Sequence, residues 1–96
     1  MGAATKSLAQ LGLTARGGRD VALTGLAVDS RDLRPGYLFA ALPGTKVHGA
    51  TFVATALEMG ATAILTDPEG AQIAAPVLAT QDAALVVAED PRATLS

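Results

Sequence analysis

The chain has 96 residues, of which 50% are hydrophobic and 17% charged, with a net charge of -2, one histidine and no cysteine. This length suffices for one domain, and the lack of cysteine excludes disulfides, thiolate nucleophiles and cysteine-ligated zinc or iron–sulfur centres. The charge provides no basic stripe for nucleic acid, and no apolar run is as long as a membrane span requires. We therefore expect a small cytoplasmic globule that binds neither nucleic acid nor membrane.

The first half of the chain predicts one helix and two strands. Leucines at helical spacing indicate a short helix over Thr5–Leu13, so residues 1–20 are expected to form a peripheral helix and loop. Alternating small and apolar residues predict a strand at Val21–Val28, and the apolar run Tyr37–Leu42 predicts a buried strand. Between them, the Pro35-Gly36 dipeptide is typical of a type II turn.

The second half alternates loops, helices and strands. Pro43–Ala50 has no periodicity and is predicted as a loop, and an apolar stripe then indicates a helix that ends in a cap at Gly60. Strands are predicted at Ala61–Thr66, Val77–Ala79 and Ala84–Ala88, with a turn at 67–70 and one helical turn at 70–75. Strands that alternate with short helices predict an α/β fold whose small, mixed and largely parallel sheet has about five strands.

The carboxyl-terminal residues predict the beginning of another helix. Asp90 and Pro91 suit the N-cap and first helical positions, so residues 90–96 resemble a first turn. We expect this helix to continue, which would make residues 1–96 a single N-terminal domain of a longer protein. The alternative is a frayed terminal turn.

A hydroxyl and a guanidinium follow the first predicted strand, at the sheet edge where open α/β folds bind ligands. Ser30 can donate one hydrogen bond to an anionic oxygen, and Arg31 can add a charged fork. The same residues equally fit an Asx turn in which Arg31 is solvated or pairs with Asp29 or Asp32.

A second loop, Gly44–Thr51, has the spacing of a phosphate-binding loop. Ala50 stands where that motif has its lysine, which excludes nucleotide-triphosphatase chemistry. Glycine-bracketed amides near a helix start could still hold an anion or a polar ring, whereas the alternative is an ordinary connection. His48 has no cysteine, second histidine or clustered carboxylates near it in sequence, so a loop residue is favoured over a base or metal ligand. These patterns predict a small ligand-binding, non-catalytic domain and name no ligand.

Five segments in order resemble the N-terminal domain of the Mur ligases, the ATP-dependent amide ligases of peptidoglycan synthesis. They are Leu26–Arg31, Leu33–Gly44, His48–Phe52, Ala56–Ala61 and Ala63–Leu65. The resemblance extends over most of the chain. Within the family it is nearest to the ligase that adds the third peptide residue to UDP-N-acetylmuramoyl-L-alanyl-D-glutamate.

This resemblance implies that the domain binds the UDP end of the muramoyl-dipeptide precursor. ATP and Mg²⁺ would bind to later domains of the same protein, and this part of the protein would hold no cofactor, no metal and no catalytic residue. It would be a monomer that contacts the precursor and the remaining domains of its own chain. The residues that match the family's substrate contacts are Val28, Ser30, Thr45, Lys46, Val47 and His48.

The resemblance leaves alternatives open. The family often has Asp-Gly where this chain has His48-Gly49, so no acidic contact can be carried over there. The incoming residue of the nearest member is expected to be meso-diaminopimelate, in a cytoplasmic reaction that supports cell-wall growth, shape and division. The alternatives are the head domain of the D-alanyl-D-alanine-adding ligase and a freestanding nucleotide-sugar-binding module.

Overall fold

A computed structural model describes residues 5–94 and shows a mixed α/β fold. Its main sheet has four parallel strands in the order β3-β4-β5-β6, and a small antiparallel pair joins β1 to β2. The strands are β1 (Lys6–Ser7), β2 (Ala22–Leu23), β3 (Gly25–Ala27), β4 (Tyr37–Ala41), β5 (Ala63–Thr66) and β6 (Ala84–Val87). The helices are α1 (Val53–Glu58), α2 (Pro68–Leu78) and α3 (Pro91–Thr94).

The two faces of the main sheet build two separate cores. Because successive side chains of a strand point to opposite faces, Leu38 and Ala40 belong to one core whereas Phe39 and Ala41 belong to the other. Helices α1 and α2 cover the Phe39 face, α1 through Val53 and Ala56 and α2 through Ala74. The amino-terminal segment covers the opposite face and contributes Leu8, which is fully buried.

Several predicted elements are confirmed. Strands β4, β5 and β6 and helix α1 lie where the apolar patterns indicated. The amide of Tyr37 donates to the carbonyl of Arg34 at 3.2 Å, and Gly36 has a φ of 88°, as a type II turn requires. Helix α3 begins at Pro91 after Asp90, whose carboxylate accepts from the amide of Ala93. The last part of that prediction, residues 95–96, lies outside the described residues.

The predicted amino-terminal helix is wrong. Lys6–Ser7 forms β1, and only Ala9–Leu11 makes a 3-10 turn, which Gly12 ends with a φ of 76°. The amide of Leu8 donates to the carbonyl of Val21 at 3.1 Å, so this segment pairs with the chain before β2 and does not coil on itself. Backbone hydrogen bonds to residues 21–23 therefore outweigh the helical preference that the leucine spacing indicated.

The single strand predicted at Val21–Val28 is divided between two sheets. Its first part is β2, which pairs with β1, and its second part is β3, which pairs with β4. Thr24 lies at the break, where its amide donates to Gly36 and its hydroxyl donates to Pro35. These two bonds attach the segment between β2 and β3 to the type II turn at Pro35-Gly36.

The turn predicted at residues 67–70 and the strand predicted at Val77–Ala79 are also wrong. Both lie in or beside α2, which runs from Pro68 to Leu78 after an N-cap at Asp67. The Asp67 carboxylate accepts from the amide of Gly70 at 2.8 Å, so the turn-forming residues are the first turn of a helix. Pro76 lies inside that helix without ending it. No helix within residues 5–94 is long and apolar enough to cross a membrane.

Candidate functional site

A cleft of about 520 Å³ opens where β3 and β4 end, at the carboxyl edge of the parallel sheet. That volume lies within the range of roughly 300–1,000 Å³ that is common for small-molecule sites. Parallel strands place such clefts where loops follow neighbouring carboxyl ends. The cleft is lined by Val28, Asp29, Ser30, Arg31, Phe39, Leu42, Val47, Gly49 and Phe52.

One side of the cleft is the 3-10 turn Ser30–Asp32, which follows β3. Asp29 caps this turn by accepting from the amide of Arg31 at 2.9 Å, and it also pairs with the guanidinium of Arg31, with Nη2 at 2.7 Å from Oδ2. These hydrogen bonds lower the pKa of Asp29 to about 2. The Asx turn and the Asp29–Arg31 pairing weighed from the sequence are therefore both present.

The same turn leaves polar groups available to a ligand. Within residues 5–94, the hydroxyl of Ser30 makes no hydrogen bond, and it lines the cleft. The Arg31 side chain is 87% exposed while it pairs with Asp29. A carboxylate partner orients the guanidinium without removing it from solvent, so Ser30 and Arg31 together present donors to an anion.

The rest of the cleft is apolar. Phe39 forms part of the floor from strand β4, whereas Val28, Val47 and Phe52 are large hydrophobic side chains that are 53%, 53% and 44% exposed. Exposed apolar side chains gathered around one cleft are suited to the face of a planar ring. The cleft thus places apolar surface next to two hydrogen-bond donors.

The last three amides of the loop that resembles a phosphate-binding loop are bonded within the chain. The amide of Gly49 donates to Leu42 O at 2.8 Å, that of Ala50 to His48 Nδ1 at 2.9 Å, and that of Thr51 to His48 O at 3.0 Å. These three amides are therefore bonded within the chain and are not free to bind a ligand. Binding of an anion or a polar ring by the amides between Gly44 and Gly49 stays a prediction, with an ordinary connection as its alternative.

The predicted contact residues divide into two groups. Val28, Ser30 and Val47 line the cleft. Thr45 and Lys46 are exposed in the loop beside it and are not part of its lining, and the ring of His48 points toward helix α2. The structure thus brings three of the six predicted residues together at the cleft.

His48 forms a buried pair with Asp67. Its Nε2 lies 2.7 Å from Asp67 Oδ1, and the two side chains are only 7% and 16% exposed. Burial raises the pKa of Asp67, but the amide of Gly70 and the imidazole of His48 outweigh burial and hold that pKa below its ordinary value. The carboxylate is therefore ionised at neutral pH, with both of these bonds made to its Oδ1.

Glu69 lies near this pair, and one donor atom from each of His48, Asp67 and Glu69 falls within 4.8 Å of the others. Such a set of imidazole and carboxylate donors could hold a divalent cation. His48 and Asp67, however, already satisfy each other, and Glu69 is exposed. We assign no ion to this cluster.

Sequence reasoning missed Phe39, Phe52 and the His48–Asp67 pair as parts of the site region. The aromatic residues matched helix and strand patterns, which indicate a core and give no sign of a cleft. His48 and Asp67 lie 19 residues apart, so only the adjacency of β4 and β5 brings them together. The available signal was that Asp67 directly follows β5 and that His48 lies at the end of the loop after β4.

The sheet order, the helices on one face and the cleft at the carboxyl edge define a small ligand-binding type of α/β domain. Residues 22–95 match the model of the Mur ligase family, catalytic domain. The chain belongs to the Mur ligase family.

Curated relatives agree with this family. The chain is 52% identical over 86 residues to the UDP-N-acetylmuramoyl-L-alanyl-D-glutamate–2,6-diaminopimelate ligase of Streptomyces coelicolor, an alignment that covers 90% of the chain and 16% of that protein. It is 54% identical over 68 residues to the ligase of the same name from Streptomyces avermitilis, covering 67% of the chain and 13% of that protein. The chain thus spans only a small part of the length of these relatives.

A solved structure shares the fold. MurF from Acinetobacter baumannii superposes with a TM-score of 0.71 at 19% identity, over 99% of this chain and 20% of that one. At that identity the likeness shows the architecture alone, and it confirms the predicted α/β fold.

Proposed function

We propose that this domain binds the UDP end of UDP-N-acetylmuramoyl-L-alanyl-D-glutamate, as the head of an ATP-dependent ligase that adds the third residue of the peptidoglycan peptide. The observation that carries the proposal is the cleft, in which the Ser30 hydroxyl and the exposed Arg31 guanidinium lie beside apolar side chains. Among residues 5–94 that hydroxyl has no hydrogen-bond partner. A nucleoside diphosphate has the matching chemistry, since it joins a planar base to two charged phosphates.

The relatives support the choice of member. Those at 52% and 54% identity carry the name of the diaminopimelate ligase, which favours meso-diaminopimelate as the incoming residue. The D-alanyl-D-alanine-adding ligase and a freestanding module are the alternatives for the same domain. ATP and Mg²⁺ would bind to parts of the complete ligase outside this chain, and the reaction would take place in the cytoplasm.

The cleft would contribute to catalysis by positioning. Binding the nucleotide far from the reacting carboxylate fixes where that carboxylate lies, and such remote binding can lower the barrier of the chemical step. No residue of the cleft would exchange protons or bonds with the substrate in this role.

The test is a calorimetric titration of the chain with UDP and with the UDP-muramoyl-dipeptide. We expect both to bind, and Ser30→Ala to weaken binding about 10-fold or more, because a hydrogen bond to a charged group contributes roughly 1.5–3 kcal/mol. Thr80→Ala is the matched control, since that hydroxyl donates to Val77 O at the far end of α2, away from the cleft. A folded wild-type chain that takes up neither compound, or a Ser30→Ala variant with unchanged affinity, would contradict the proposal.

A further inference from the structure

The protonation of the His48 ring is fixed by its two neighbours. Nδ1 lies 2.9 Å from the amide nitrogen of Ala50, and Nε2 lies 2.7 Å from Asp67 Oδ1. A backbone N–H can only donate, so Nδ1 must carry a lone pair. The proton of the neutral ring is therefore on Nε2, which donates to the Asp67 carboxylate.

This ring joins two parts of the fold that are far apart in sequence. On one side, His48 lies at the end of the loop that follows β4. Its two neighbours in sequence, Val47 and Gly49, line the cleft. The loop is closed at its base by the bond from the Gly49 amide to Leu42 O. On the other side, Asp67 is the N-cap of α2, where its Oδ1 also accepts from Gly70. The His48–Asp67 pair thus ties one wall of the cleft to the start of helix α2.

The surroundings leave the ring little freedom. A Cβ at position 70 would lie 2.6 Å from His48 Cε1 and would overlap the hydroxyl of Thr66, so only glycine leaves room for the imidazole there. The side chain of His48 is 7% exposed. A direct bond from either ring nitrogen to a ligand in the cleft would require breaking a bond that the fold already makes.

We propose that His48 is a positioning residue: its neutral imidazole, held between the Ala50 amide and the Asp67 carboxylate, fixes the Val47–Gly49 wall of the cleft in the conformation that receives the nucleotide. This inference rests on the proposed function for its ligand. It replaces the direct substrate contact expected for His48 by an indirect role, and it adds Asp67, which the sequence had placed in a turn.

Two substitutions break the His48–Asp67 bond, one from each side. Each keeps the bond that its own position accepts from a nearby backbone amide, Ala50 or Gly70. In His48→Asn the side-chain oxygen can still accept from the amide of residue 50, as in an Asx turn, but cannot reach Asp67. In Asp67→Ser the hydroxyl can still cap α2 through the Gly70 amide, but cannot reach His48. Asp67→Asn keeps an oxygen acceptor for both partners and serves as the conservative rescue.

The experiment titrates each variant with UDP, well below its unfolding temperature, and measures hydrogen exchange of the Gly49 amide without ligand. We expect His48→Asn and Asp67→Ser each to weaken UDP binding about 3- to 10-fold, and the double variant to bind no more weakly than the poorer single one, because both remove the same contact. Exchange at Gly49 should be faster in all three. Asp67→Asn and Glu69→Gln should stay within about twofold of wild type.

The possible failures are distinguishable. If the wild-type chain binds UDP and the folded variants bind equally well, the positioning role is overturned while the proposed function stands. If the wild-type chain does not bind UDP, the proposed function fails, and Gly49 exchange decides whether the pair holds the loop. Unchanged exchange in the variants overturns the inference in either case.

Discussion

Two threonines at the ends of one strand show how the surroundings of a single hydroxyl decide its contribution to stability. Thr66, the last residue of β5, is fully buried and donates from Oγ1 to Ala41 O at 2.8 Å. Thr62, just before β5, has a buried Oγ1 that finds no partner within residues 5–94. The buried hydroxyl of Thr62 therefore destabilises the fold, because it has lost its bonds to water without gaining another. The hydroxyl of Thr66 stabilises the fold, because without it the carbonyl of Ala41 would lose this hydrogen-bond donor.

Valine replaces threonine with nearly the same shape, so it isolates the hydroxyl. We expect Thr66→Val to lower the free energy of unfolding by about 1–2 kcal/mol, and Thr62→Val to leave it unchanged or raise it by up to about 1 kcal/mol. Urea denaturation of both variants measures the difference. Equal losses in the two variants would show that strand packing, and not the hydroxyl bond, determines the result.

Among the elements, helix α2 shows most clearly why local sequence patterns could not predict the secondary structure. Asp67, Pro68 and Gly70 are typical turn residues, yet the first two are equally good at the start of a helix. Gly70 is required there because a Cβ would overlap the Thr66 hydroxyl and crowd the His48 ring. Pro76 would ordinarily end a helix, but α2 continues to Leu78. Only the tertiary contacts choose between these alternatives.

Other elements could be predicted because their signals are local. The Pro35-Gly36 turn and the buried strand β4 follow from adjacent residues alone. The cleft could be predicted in part for the same reason, since Ser30 lies three residues beyond the end of β3. Its aromatic lining and the His48–Asp67 pair depend on which strands lie side by side, which residue spacing does not determine.

The N-cap of α2 should make stability depend on pH. Asp67 has a pKa below its ordinary value of 3.8, since the Gly70 amide and His48 outweigh the opposing effect of burial. A carboxyl whose folded pKa is lowered stabilises the fold fully above its unfolded pKa, and this contribution is lost as pH falls through the folded value. We expect the stability difference between wild type and Asp67→Asn to be constant from about pH 6 to pH 5 and to shrink below about pH 4.

Urea midpoints measured for both proteins across this pH range provide the test. Asp29 also has a lowered pKa, but it is unchanged in both proteins and cancels in the comparison. A difference that stays constant down to pH 2 would mean that the Asp67 charge contributes nothing to the cap.

At the scale of the whole molecule, the amino-terminal segment takes the place of a helical layer. Helices α1 and α2 cover one face of the main sheet, and the other face is covered by a two-residue strand, a 3-10 turn and the loop beyond it. Arg19 in this segment also pairs with Asp82 just before β6, through Nη2 and Oδ2 at 2.8 Å. Because the pair is exposed, the apolar contacts must provide most of the attachment.

Leu8 is the largest fully buried side chain of that segment, and its neighbours in the core include Leu38 and Leu65 from the centre of the sheet. We expect Leu8→Ala to lower the free energy of unfolding by about 2–4 kcal/mol, because it removes buried methyl groups and leaves a cavity in the core. Leu11→Ala, at a position that is 42% exposed, should cost less than about 1 kcal/mol. Urea denaturation compares the two. Similar small losses would mean that the segment is peripheral after all, and that the sheet and its helices fold without this covering layer.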